Sequence, residues 1–131
     1  MQTWILAVLA LFVLQTYLPA TIRYLLAGPG TLGRLRVALG PRDEQPPLSP
    51  VGGRATRALA NMQEAMPVFL ALSLLHVANG TGDGSAAQGA MIFFLARVAY
   101  VPAYLWGVSG LRSAVWGVSW VGLGWMIAAL W

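Results

Sequence analysis

Four apolar runs, each close to the length that crosses a bilayer, dominate this chain, and two of them carry a charge in their interior. The runs cover about residues 4–26, 62–78, 86–108 and 113–131. A spanning helix needs about 20 apolar residues. The second run is short, and Arg57, Asn61 and Glu64 extend its helix back to about residue 54. With 58% hydrophobic and only 9% charged residues, the pattern predicts an all-α integral membrane protein. Residues 1–131 form a single membrane domain, a bundle of four transmembrane helices with one long loop at about 27–53. The first run opens Met1-Gln2-Thr3-Trp4, with no basic segment before it and no small-residue cleavage site after it. It is expected to stay as an anchor.

Charge sets the expected orientation. The net charge is +4, carried by eight basic residues, all arginine. Arg23 stands near the end of the first run. Arg34, Arg36, Arg42, Arg54 and Arg57 flank or occupy the first loop region, and Arg112 lies in the third. Residues 79–85 and both chain ends lack basic residues. Positive charge marks the cytoplasmic side, which puts both termini outside. Trp4 and Trp131 then mark the outer interface and Trp106 the inner one. Arginine without lysine, with abundant Ala and Gly, points to a bacterial inner membrane with periplasmic termini. The arginines are scattered among apolar segments, so nucleic-acid binding is not expected. The chain has no cysteine, which removes disulfides, thiolate metal sites and a cysteine nucleophile. No metal site is expected.

Gly28-Pro29-Gly30, Gly40-Pro41, Pro46-Pro47 and Pro50 break regular structure in the first loop, leaving room for a short interfacial helix at Leu32–Leu39. Pro19, Pro67 and Pro102 lie inside spans and are expected to kink them. In the last span, Ser109, Ser113 and Gly117 recur every four residues, and Gly110, Ala114 and Gly122 do so with one gap. Such small-residue stripes allow close helix approach.

The ionisable residues inside the spans carry the functional argument, since an Arg at a bilayer-centred helix position costs roughly 2.5–3.5 kcal/mol on insertion scales. Arg57, Asn61 and Glu64 are spaced i, i+4, i+7 on one helix face. Arg97, Tyr100 and Tyr104, spaced i, i+3, i+7, share another. Glu64 lies roughly 15 Å along a helix that starts near Arg54, and Arg97 roughly 16 Å from its own cytoplasmic end. The two charges are therefore expected at one level. Arg112 sits at the mouth, and Thr16 with Arg23 gives a polar edge. Arginine exceeds carboxylate in this cleft, so an anionic ligand completes it, because guanidinium binds carboxylates bidentately. The inventory suits a small zwitterionic peptide with surplus negative charge.

The segment Arg57-Ala58-Leu59-Ala60-Asn61-Met62-Gln63-Glu64-Ala65-Met66-Pro67 resembles the second-span signature of the MAPEG family, the membrane-associated proteins in eicosanoid and glutathione metabolism. Arg97-Val98-Ala99-Tyr100, Tyr104 and Arg112-Ser113 resemble the signature of its third and fourth spans. The likeness covers about residues 54–120. It implies a homotrimer of four-helix subunits binding glutathione between neighbours near the cytoplasmic side. By position, Arg57, Asn61, Glu64, Arg97, Tyr100, Tyr104 and Ser113 would bind glutathione, and Arg112 would act on the thiol. The implied activity is a glutathione-dependent transferase or peroxidase acting on small lipophilic electrophiles or lipid hydroperoxides. The alternatives are a non-catalytic lipid-binding member and an accessory subunit of a larger membrane complex. Leu59 and Ala60 replace the His and Arg of prostaglandin-synthase-like members, and Trp116 replaces their Tyr. Glu64 precedes Pro67 by three residues, one fewer than in mammalian members. The spacing from the third span to Arg112 is also one shorter than in the prostaglandin-synthase type. These departures set the chain apart from the eicosanoid-forming members. His76 has no ligand partners in the sequence and is expected in the core or at an interface. Asn79-Gly80-Thr81 and Gly80-Thr81-Gly82 lack the context of a glycosylation site or a nucleotide loop.

Overall fold

The computed structural model describes residues 1–26, 31–41 and 47–131. Five α-helices follow one another: α1 Gln2–Thr21, α2 Thr31–Leu39, α3 Pro50–Ala78, α4 Ser85–Trp106 and α5 Ser109–Ala128. A π-helical turn, Ile22–Leu26, extends α1 just beyond Pro19. Wide turns of this kind absorb a disturbed hydrogen-bond ladder, and a proline is a common cause. The described residues contain no strand. Arg42, the Gly28-Pro29-Gly30 and Pro46 breakers and the side chain of Arg34 lie outside what is described.

Three helical segments, Gln2–Leu26, Pro50–Ala78 and Ser85–Trp106, are long and apolar enough to cross a membrane. Helix α5 has 20 residues, but its glycines, serines and tryptophans dilute its apolar character. The protein is thus an all-helical membrane protein, with α5 as the fourth long helix of the bundle.

Pro50 does not break structure as the sequence suggested. It opens α3 at the first helical position, where a missing N–H costs nothing, and Ser49 caps it by accepting the Gly52 amide at 3.1 Å. The start lies a full turn before residue 54. Pro67 and Pro102 sit inside helices that run on through them. The first loop does carry a helix, α2, at residues 31–39.

Phe69 and Phe93 stack at 4.7 Å in the centre of the bundle. Around them pack Val8, Met62, Ala65, Leu72, Ala90, Leu123 and Met126, so all four long helices feed one core. Helices α4 and α5 approach most closely. A Cβ at Gly122 would lie 2.7 Å from the Phe93 amide nitrogen, and one at Gly89 would lie 2.8 Å from the Gly122 carbonyl oxygen. The backbones touch there because neither residue has a side chain. Of the last span's glycines, only Gly122 serves this contact. Gly110, Gly117 and Gly124 face open space.

The two ends of the bundle are stitched differently. At one end His76, fully buried, joins three elements. Its Nε2 lies 2.9 Å from the Met126 carbonyl oxygen and its Nδ1 2.8 Å from the Thr81 hydroxyl. A carbonyl only accepts, so Nε2 carries the hydrogen, and in the neutral ring Nδ1 then accepts from Thr81. Met1 lies at this end too, its ammonium 3.8 Å from Asp83. At the other end the Arg54 guanidinium donates to the Leu105 carbonyl at 2.9 Å. It caps α4, whose last turn leaves carbonyls without partners and carries partial negative charge. Gly107 follows with φ +78°, and a Cβ there would sit 2.7 Å from the Arg54 guanidinium carbon.

Candidate functional site

At the Arg54 end, α3, α4 and α5 leave a cleft of about 250 Å³ lined by Asn61, Tyr100, Tyr104, Arg112, Ser113 and Trp116. Each helix contributes by register. Asn61 comes from α3. Tyr100 and Tyr104 are one turn apart on α4. Arg112, Ser113 and Trp116 belong to the opening turns of α5.

Ring contacts run through the site without a break. The buried Arg97 guanidinium lies 5.5 Å from the Tyr100 ring centroid. Tyr100 meets Tyr104 edge-on at 5.3 Å, and Arg112 lies 4.9 Å over Tyr104. Cations favour the negative face of an aromatic ring. Among the described residues Arg112 is therefore held by a ring rather than by a carboxylate. No described acid takes its hydrogen-bond donors, and the positive end of the α5 dipole adds to its field. Ser113 donates its hydroxyl to the Ser109 carbonyl at 3.1 Å, so in this rotamer it offers the cleft only acceptor lone pairs.

The expected meeting of Glu64 with Arg97 does not occur. Among the described residues they form no ion pair. Arg97 instead donates from Nη1 to Asn61 Oδ1 at 2.6 Å. The helix start explains the change. Counted from Pro50, Asn61 stands about 16 Å along α3, the depth that a count from Arg54 assigned to Glu64. Glu64 is carried a turn deeper and is exposed. Arg57 is exposed as well, and its guanidinium folds back to within 3.5 Å of where a Gly53 Cβ would be. Neither lines the cleft. Thr16 and Arg23 belong to a separate hollow of about 290 Å³ between α1 and α3, shared with Tyr24 and Thr56.

From the sequence, Trp116 stood out only as a replacement of the family Tyr, and Phe93 did not stand out at all. Trp116 forms a wall of the cleft, and Phe93 lies 5.2 Å beneath Arg97. Phe93 stands one turn before Arg97 on the same face of α4, which was the available signal. A larger hollow, about 400 Å³, opens at the opposite end beside Met1, His76, Gly80 and Asp83. Both ring nitrogens of His76 are engaged there, so it offers less chemistry. No group of three or more His, Cys, Asp or Glu among the described residues could hold a metal ion.

The sequence model of the MAPEG family matches residues 1–131, the whole chain. No curated protein matches it. The chain belongs to the MAPEG family, a group of membrane proteins linked to glutathione and eicosanoid metabolism.

Proposed function

We propose that this MAPEG protein is a glutathione-dependent transferase or peroxidase that acts on lipophilic electrophiles or lipid hydroperoxides reaching it from the bilayer. The observation that carries the reading is Arg112. It is a guanidinium seated on Tyr104, with no carboxylate partner among the described residues, at the mouth of a cleft lined by an amide, two phenols and a serine. That donor set fits an anionic peptide thiol. Asn61 and the tyrosines present donors to carbonyls and carboxylates, and Ser113 offers an acceptor. Glutathione supplies the thiol. Arg112 favours its thiolate form, since a nearby cation lowers a thiol's pKa and the thiolate is the nucleophile.

The site is completed by neighbouring copies in a homotrimer. One chain encloses only about 250 Å³, below the roughly 300–1,000 Å³ of common ligand pockets. Arg57 and Glu64 are exposed on α3, and an uncovered charge in a bilayer is costly. A second copy laid against α3 covers both and brings them to the peptide's charged ends. The Arg54, Arg57 and Arg112 end lies in the cytoplasm, where the positive-inside rule places it and where glutathione is found.

Calorimetry on detergent-purified protein tests the reading. Glutathione is expected to bind, with Arg57→Ala and Arg112→Ala each weakening binding at least tenfold. An absence of binding at millimolar glutathione would leave the scaffold without its ligand and favour a lipid-binding or accessory role.

A further inference from the structure

Among the described residues Arg97 is the largest fully buried side chain, 1% exposed, yet it does not line the cleft. Its guanidinium is caged. Phe93 lies 5.2 Å away on one side and Tyr100 5.5 Å away on another. Nη1 donates to Asn61, while Nε and Nη2 are buried without a hydrogen-bond partner. Asn61 is half-buried and does line the cleft. Guanidinium has donors and no acceptor, so the Asn61 atom facing it is the oxygen. The amide nitrogen is left on the other side. Reversing the amide would set its NH2 against a cation.

We infer that Arg97 is a positioning residue that holds the Asn61 carboxamide in one orientation, presenting its two N–H donors to a carbonyl or carboxylate of the bound peptide. The inference rests on the glutathione reading above and adds a division of labour to it. Asn61 is the donor that touches the ligand, and Arg97 acts through it without touching. A bare asparagine would offer the cleft a donor or an acceptor indifferently. Locked by Arg97, it discriminates in favour of ligand acceptors.

A double-mutant cycle on glutathione affinity separates this from direct contact. Arg97→Met and Asn61→Leu are each expected to weaken binding about tenfold, the scale of one charge-assisted hydrogen bond. The double variant is expected to bind no worse than Asn61→Leu alone, because Arg97 has nothing left to orient. Losses that multiply to about a hundredfold would overturn the inference, since they would mean that Arg97 contacts the ligand itself. Arg97→Lys retains a donor to Asn61 Oδ1 and is expected to recover most of the affinity, which keeps the cycle usable if the methionine variant folds poorly. Asn61→Asp gives a second readout. Its carboxylate pairs with Arg97, so the thermal midpoint is expected to hold or rise while glutathione affinity falls at least tenfold. An aspartate variant that binds normally would also overturn the inference. Failure of the unmodified protein to bind glutathione would overturn the function reading and this inference together. Binding with multiplying losses would overturn this inference alone.

Discussion

Arg112 and His76 show two uses of a polar side chain in an apolar bundle. Arg112 rests on a ring, and no described carboxylate takes its donors. His76 spends both nitrogens on protein partners. Arg112→Ala is expected to lower kcat/KM for an electrophile about a hundredfold, the scale seen when one preorganised charge-stabilising donor is removed, with the thermal midpoint unchanged. Steady-state kinetics alongside melting would check it. His76→Ala is expected to do the reverse. It leaves the buried Met126 carbonyl unsatisfied, at a cost of about 1–3 kcal/mol, and leaves turnover of the surviving folded protein intact. At this scale the sequence was informative about residue types. Asn61, Tyr100, Tyr104, Arg112 and Ser113 do line one cleft. Pairing was not legible, because counting residues along a helix gives depth only from a known start. A one-turn error at Pro50 exchanged Asn61 for Glu64 as the partner of Arg97.

The helices carry their own signals, some of them hidden by composition. Ser49-Pro50 is a cap followed by a first-turn proline, although a proline in a Pro-rich stretch invites reading as a breaker. Gly122 was visible as one of several small residues, but the helix face that meets a neighbour depends on rotation about the axis. Packing set that rotation, and it turned Gly122 inward while leaving Gly117 and Gly124 open. Gly122→Val is accordingly expected to abolish a stable, monodisperse fold, because its side chain would meet the α4 backbone. Gly124→Val is expected to be neutral to within about 0.5 kcal/mol. Size-exclusion profiles and melting curves of the two variants check the contrast. Arg54→Ala is expected to cost about 1–2 kcal/mol by uncapping α4, and a Lys at that position should recover part of the loss.

The whole molecule is lopsided in charge. Arg54, Arg57 and Arg112 gather at one end, and Asp83 sits at the other with the Met1 ammonium. The apolar runs disclosed an all-helical membrane bundle from the outset. They did not disclose that α4 and α5 would pack most closely. That feature depends on side-chain fit between segments whose facing surfaces the runs do not specify. The absence of cysteine makes topology directly measurable. A single Cys at Asn79 is expected to react with an impermeant reagent from outside, and one at Arg36 only after lysis. Native mass spectrometry is expected to give three copies per particle. The central claim is that Arg112 holds the thiol of bound glutathione as a thiolate. The most direct test is the ultraviolet difference spectrum of glutathione bound to the purified protein at neutral pH. The account predicts a thiolate band that Arg112→Ala abolishes under conditions where glutathione is still bound. A bound peptide without that band, or a band that survives Arg112→Ala, would contradict it.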